Sequence, residues 1–338
     1  MVNQKGLSTR AFILRELRRN EGAPVSGEAL AHGAGISRVA VWKGVRSLVA
    51  AGYSIVSEEA GYRLAAAAED FLYPWEFGEK ERLFQHFVST DSTMDRSREA
   101  AEQGLGSGTV ITAETQTAGR GRSGRAWASK PGGLFFTILE RPDMAVADYA
   151  QASMEAQIAA ARTVERLCGK RAALRWPNDV YIKGKKIAGI LTELSGEGDR
   201  IRWISCGVGL NINNRTAADA TSCAKIAGHD LSRREGLTVF LNEAEKLRSS
   251  LAASDAGRQE LAALWNSLAE GIGAEVLIIP AEHGNSKTVG ENRILGKGIF
   301  SGLDPSGRCI IKTKAGKERA AAPLMYSPGS VSLIFKGL

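Results

Sequence analysis

The most restrictive feature of this chain is a place where a helix cannot form. Gly119, Gly121 and Gly124 in GRGRSGRAW fit the spacing GxGxxG, and an acid, Glu140, follows about twenty residues after the first glycine. A dinucleotide-binding turn of that spacing opens a helix, which crosses back to a second strand carrying the acid. Here Pro131, Gly132 and Gly133 come soon after Gly124, and none of them continues a helix interior. Glu140 ends the very next apolar run, GGLFFTILE, which leaves no length for a crossover. The loop therefore leads straight into a strand, and the doubly wound dinucleotide fold is set aside.

What the loop does carry is three arginines, Arg120, Arg122 and Arg125, set among glycines that let backbone wrap closely around an anion. Guanidinium groups bind carboxylate and phosphate oxygens in pairs, so the loop suits ligands bearing both. Without a ligand those charges repel and glycine raises the entropy of order, which predicts a segment with no fixed form that closes on its ligand. A solvated basic turn is the other reading. Downstream, RWPNDVYIKGKKIAGIL places a polar turn between apolar strands, with Lys185 and Lys186 before an apolar close. A lysine held at a strand start can bridge a carbonyl oxygen and an α-phosphate; a pair of lysines also serves simply to keep an edge soluble. In CGVGLNIN, Asn211 and Asn213 either bond a ligand or close a turn. Neither a P-loop motif nor a kinase signature is present.

The N-terminal segment is built on a different period. LSTRAFILRELRRN places Ile13, Leu14 and Leu17 on one helical stripe, and Gly22 ends that helix. In the break AHGAGIS, Gly35 supplies a tight turn and Ser37 caps the next helix. From Ser37 onward Val41, Val45 and Leu48 share one face, while Arg38, Trp42 and Arg46 lie on another beside Lys43. YSIVSEEAGYRL reads as two short strands around a turn, so residues 7 to 64 predict a winged helix-turn-helix that offers Ser37, Arg38, Trp42, Lys43 and Arg46 to DNA. A helical domain with a solvated basic face, or a protein-binding one, fits the same pattern.

The run AAAAEDFLYPW breaks the pattern and reads as a linker. Four units are expected: a winged helix-turn-helix over 1–65, a linker over 66–80, an α+β domain with a mixed sheet over 81–270, and a small all-β barrel over 271–338. The 338 residues, 43% apolar and 24% charged, are ample for more than one core. Cys168, Cys206, Cys223 and Cys309 show no CxxC spacing, and His32, His86, His229 and His283 are scattered, so free thiols are expected rather than a metal site or disulfide framework. No run is long enough to span a membrane and the N-terminus lacks an apolar signal region, from which a cytoplasmic protein without a membrane partner is expected. The net charge of +7 gathers near residues 10 to 46 and 120 to 130, pointing to one polymeric and one nucleotide anion.

In order and rough spacing, GRGRSGRAW, RWPND, KKIAGIL and GVGLNIN resemble the biotin protein ligases, and with the flanking segments the whole chain looks like the bifunctional ligase and biotin operon repressor type. That resemblance implies a central biotin/lipoyl ligase-like domain and a C-terminal SH3-like β-barrel. It implies formation of biotinyl-5′-AMP from biotin and ATP with Mg²⁺, then transfer to a lysine of the biotin carboxyl carrier protein of acetyl-CoA carboxylase. A homodimer on operator DNA, with biotinyl-5′-AMP as corepressor, is implied as well.

Residue by residue, the family's biotin contacts match Ser92, Thr93, Met94, Gln116, Arg120, Gly121, Arg122 and Lys186. Adenylate contacts match Arg120, Arg122, Trp127, Asn178, Lys186 and Asn211, and Asp179 matches a residue that orients the incoming amine. Arg122, Lys186 and Asp179 are thereby the expected catalytic set. Two positions depart from the pattern: Met94 stands where asparagine is common, and Ser123 where arginine is frequent. A ligand-sensing regulator without transfer activity and a lipoate ligase are the competing readings.

Overall fold

The computed structural model describes residues 6–65, 70–250, 254–281, 294–313, 324–328 and 330–336. His283 and residues 66–69 of the expected linker lie outside them. The chain divides into two compact units, Met1–His86 and Phe87–Leu338.

The first unit holds helices α1 (Thr9–Arg19), α2 (Gly27–Ala34) and α3 (Arg38–Ala50), followed by the antiparallel pair β1 (Ile55–Glu58) and β2 (Gly61–Leu64). Each helix starts on a serine whose hydroxyl accepts from a backbone N–H in the first turn: Ser8 from Ala11, Ser26 from Ala29, Ser37 from Ala40. Gly35 ends α2 at φ 67°, a conformation that costs glycine nothing and lets α3 turn away sharply. Ile13, Leu14 and Leu17 meet Leu30, Val41, Val45 and Leu48 in one core. Each such burial contributes about 1.5–3 kcal/mol before chain entropy is subtracted.

Residues 70–80, expected as linker, are packed into this unit. Phe71, Tyr73 and Trp75 lie against its core. Arg18 donates twice to the Glu76 carboxylate, at 2.8 and 2.9 Å, and the Tyr53 hydroxyl donates to it as well. The glutamate side chain is wholly buried. Composition alone suggests a spacer because an alanine run, two acids and a proline break the helical pattern here. Pro74–Leu83 forms short 3-10 turns kinked at Gly78.

The second unit is built on a seven-stranded sheet of β3 (Phe84–Thr90), β4 (Thr109–Gln116), β5 (Leu134–Glu140), β6 (Ala173–Arg175), β7 (Asp179–Ile182), β8 (Lys185–Glu197) and β9 (Arg200–Leu210), in the order β3-β4-β5-β9-β8-β7-β6. Helix α4 (Thr93–Glu102) packs on one face, and Ser97 and Ser205 share a hydrogen bond across that contact. The long helix α5 (Ala150–Cys168) lies against β8 and β9, with α6 (Cys223–Ala227), α7 (Arg233–Ser250) and α8 (Asp255–Leu268) packed around it. Phe136 meets Phe240 of α7 edge-on, at 4.9 Å between centroids.

Register decides which residues share a face. Gly189 of β8 pairs with Gly209 of β9, which pairs with Phe135 of β5; Leu191, Gly207 and Thr137 align in the same way two residues along. Side chains alternate along a strand, so Gly207 and Gly209 expose bare backbone on one face while Cys206 and Val208 fill the other.

Strands β10 (Glu275–Pro280), β11 (Gly296–Leu303), β12 (Cys309–Lys312), β13 (Leu324–Tyr326) and β14 (Val331–Phe335) form an antiparallel sheet in the order β13-β12-β11-β10-β14. This is the expected all-β segment. Among the described residues no ladder joins β13 to β14 into a closed ring.

Candidate functional site

In the structure the arginine loop takes a defined form, the closed one expected of it. Gly119 O accepts from Trp127 N at 2.8 Å, and Gly121 N donates to Arg125 O at 2.7 Å, so residues 119–127 double back as a hydrogen-bonded hairpin. Ser123 and Gly124 turn its tip with positive φ of 54° and 69°. The stem is pinned by Gln116, whose amide nitrogen donates to Ser129 Oγ at 2.7 Å. A side chain at Gly119 would collide with Ser129 Oγ and Trp127 O, so only glycine permits the stem to close this tightly. In this form the local bonds offset part of the chain entropy of ordering the loop. At the tip Ser123 Oγ donates to Ala281 O at 3.0 Å, just past β10.

The loop lays Trp127 on the bare face of the sheet. A Cβ on Gly189 would stand 2.8 Å from the indole, and one on Gly209 would collide with it. Lys186, at the start of β8, holds its Nζ 2.7 Å from Asp179 Oδ1 on β7 and 5.2 Å from the Trp127 ring centroid. Arg122 belongs to the same group. Burial pulls its guanidinium below its ordinary value, and the Asp179 carboxylate opposes that shift. Lys186, Asp179 and Trp127 are thus brought together at a floor made of glycine, with the charge of Arg122 felt at Asp179.

Beside them runs a ladder of neutral hydrogen bonds. Ser92 caps α4, accepting from Met94 N at 3.3 Å. Gln116 Oε1 accepts from Thr93 N at 2.8 Å and from Thr93 Oγ1 at 3.1 Å, and Thr137 Oγ1 donates to Thr93 Oγ1 at 2.9 Å. Met94 is buried, with its thioether against Gly207. The methionine fills space where a polar residue was the common alternative, so this end of the site is lined by an apolar, adaptable side chain.

Other expected residues are placed differently. The Arg120 guanidinium turns to carboxylates, 2.7 Å from Asp95 Oδ1 and 3.3 Å from Glu193 Oε1, and Arg98 grips Glu193 from the other side at 2.9 Å. Asn178 spends its amide on Ile190 O at 2.6 Å. Asn211 is buried and accepts from Asn214 at 2.9 Å. Asn213 closes a turn by donating to Leu231 O and accepting from Leu231 N. Lys185 donates to Ala218 O and is exposed, as an edge lysine would be. Gly121 contributes backbone to the hairpin.

In the first unit, Ser37, Arg38, Trp42, Lys43 and Arg46 are all exposed along α3, with the Arg46 guanidinium 4.8 Å from the Trp42 ring centroid. That face has no acidic residue, since α3 reads RVAVWKGVRSLVA.

Residues 9–63 match the helix-turn-helix family model described as HTH domain, and residues 87–211 match that of the Biotin/lipoate A/B protein ligase family. The bifunctional ligase/repressor BirA of Bacillus spizizenii is 30% identical over 333 residues, covering 92% of this chain and 97% of the relative. This chain belongs to that bifunctional biotin ligase/repressor family. Its Bacillus subtilis counterpart is 31% identical over 315 residues, covering 87% of this chain and 91% of its own length. Among solved structures, the biotin protein ligase from Aquifex aeolicus in complex with biotin and ATP aligns with a TM-score of 0.60 and 28% identity, over 75% of this chain and 99% of that one.

Several residues at the site went unread in the sequence. Thr137 and Ser129 are buried hydroxyls that fix Thr93 and Gln116, and Asp95 and Glu193 hold Arg120. Arg233, at the start of α7, meets Glu114 at 2.5 Å and donates to Gly133 O at 3.4 Å, which fastens the far end of the loop. One signal was available: Gly207 and Gly209 recur at the strand period, as a strand requires when something must lie flat against one face.

Among the described residues no cluster of three or more His, Cys, Asp or Glu side chains could hold a metal ion. Of the carboxylates at the site, Asp179 faces Lys186, while Asp95 and Glu193 are taken up by Arg120.

Proposed function

We infer that this chain is a biotin protein ligase that forms biotinyl-5′-AMP from biotin and ATP, transfers the biotinyl group to a protein lysine, and represses transcription with the adenylate as corepressor. The observation that carries this reading is the meeting of Lys186 with Trp127 over the glycine floor of β8 and β9 and with Asp179, whose carboxylate also acts on the charge of Arg122. In the first step a biotin carboxylate oxygen attacks the α-phosphorus of ATP, and the bond to pyrophosphate breaks. Two anions have to approach, so the fixed cations Arg122 and Lys186 supply both proximity and charge stabilisation as the oxygens crowd together. In the second step a lysine amine attacks the acyl carbon, AMP leaves, and the amine gives up a proton. Asp179 is suited to orient that amine, and no enzyme nucleophile is needed because the anhydride is already activated.

The finer parts of the reading are these. Ser92, Thr93, Met94, Gln116 and Gly121 line the biotin end, and Trp127, Asn178 and Asn211 the nucleotide end. Arg120 acts through closure of the loop. Mg²⁺ would enter as the ATP complex and would supply charge neutralisation on the phosphates, beside Arg122 and Lys186. The acceptor is the biotin carboxyl carrier protein of acetyl-CoA carboxylase, in the cytoplasm. The C-terminal sheet completes an SH3-like barrel, and a homodimer presents two winged domains to operator DNA.

Incubation with ATP, Mg²⁺ and labelled biotin or lipoate, with and without a carrier domain, tests the enzyme. Biotin on the carrier is the expected result. Lipoate there would move the chain to the lipoate ligases, and no label would leave a sensor.

A further inference from the structure

A helix that reads DNA through hydrogen bonds presents polar side chains to the groove, yet α3 also exposes an apolar stripe between its basic residues. Val39 is 61% exposed, Trp42 46% and Val49 47%. Together with Arg46 they recur at helical spacing and form one stripe. None of the three packs into the core that Val41, Val45 and Leu48 occupy. The one arginine within the stripe, Arg46, lies over the Trp42 ring and extends its flat surface. Val39 sits in the first turn of α3, the part of such a helix that reaches base edges. Arg38 and Lys43 flank the stripe, exposed, and α3 has no acid to repel a polyanion.

An apolar side chain can recognise only one feature on the major-groove edge of a base pair, the 5-methyl group of thymine. We propose that Val39, backed by Trp42, reads thymine methyl groups in operator DNA, while Arg38 and Lys43 hold the flanking phosphates. Sequence choice by this helix then rests on methyl contact rather than on arginine paired to guanine. The proposal rests on the DNA-binding reading given above and adds to it the chemistry of recognition.

The test uses the full chain with biotin and ATP to select duplexes from a random pool. The selected site is then remade with deoxyuridine replacing one thymine at a time, which removes the methyl and keeps every hydrogen-bonding edge. At one or two positions in each half-site, uracil is expected to weaken binding by about fourfold, as loss of one buried methyl would. Val39→Ser, at an exposed position, is expected to bind more weakly and to lose sensitivity at those same positions. If every uracil substitution is neutral, or Val39→Ser keeps the parent's sensitivity, the proposal is overturned. If Val39→Ser leaves DNA affinity intact but impairs self-association or carrier transfer, the stripe is a protein contact and the proposal is equally overturned. Failure to select any sequence while carrier biotinylation proceeds would remove the DNA-binding reading itself, and this one with it.

Discussion

Lys186 Nζ is shared between the Asp179 carboxylate, 2.7 Å away, and the face of Trp127, 5.2 Å from the ring centroid. An ammonium has three donors, and neither partner takes all of them. The lysine is therefore held in place while remaining able to meet an incoming carboxylate or phosphate oxygen. Lys186→Met is expected to slow adenylate formation by about a hundredfold or more, the usual scale for loss of a donor aimed at developing charge. Asp179→Asn is expected to slow carrier transfer more than adenylation. Pyrophosphate release and carrier labelling, timed separately, check both; equal loss in the two steps for Asp179→Asn would dissociate it from the amine.

The two loop arginines divide by environment. Arg122 is half-buried and its charge is felt at Asp179, whereas Arg120 is tied to Asp95 and Glu193. Arg122→Ala should lower the adenylation rate by about a hundredfold. Arg120→Ala should act mainly by loosening the closed loop, seen as a raised KM for biotin with a smaller change in kcat. Asp95→Asn should reproduce that effect, and the double variant should be no worse than either single one. The pairs are half-exposed, so the coupling should stay near or below about 1 kcal/mol.

Glu155 of α5 gives stability a pH dependence. Burial pushes its carboxyl from the ordinary 4.5 to about 7, with Arg248 opposing the shift and Glu140 adding to it. A carboxyl whose folded pKa exceeds its unfolded value binds its proton more tightly when folded. Its contribution is therefore complete below about 4.5 and is lost as pH climbs towards 7. Glu155→Gln should flatten that decline by about 1–3 kcal/mol. Urea midpoints at pH 5 and pH 8 for both proteins measure it; parallel slopes would mean Glu155 ionises normally.

Where the chain is cut matters for separating its two activities. Removal of residues 1–64 strips Phe71, Tyr73 and Trp75 of the core they cover and Glu76 of Arg18 and Tyr53. That truncation should aggregate. Removal of residues 1–83 should give a monodisperse protein that ligates and no longer binds operator DNA. Gel filtration, a transfer assay and a DNA shift assay distinguish the two, and operator binding by either truncation would refute the N-terminal assignment.

The winged domain was legible because its helices are coded locally: serine caps, Gly35 at a left-handed turn, and a clean stripe of Ile13, Leu14 and Leu17. The strands of the second unit were legible from alternation, and Arg122, Lys186 and Trp127 from their motifs. Long-range choices were not. That Arg120 would turn to Asp95 and Glu193 depends on how α4, β8 and the loop meet in space. Trp75 and Glu76 read as linker because their partners, Tyr53 and Arg18, lie far away in sequence. Thr137 and Ser129 look like ordinary strand and loop hydroxyls until register puts them beneath Thr93 and Gln116.

The glycine floor limits how this enzyme can be remodelled. Gly189, Gly207 and Gly209 already bear the smallest side chain available, so, on the proposed function, a chamber for a bulkier vitamin analogue cannot be carved from that wall. Extra room has to come from the opposite lining, and Met94 is the residue there with volume to give up.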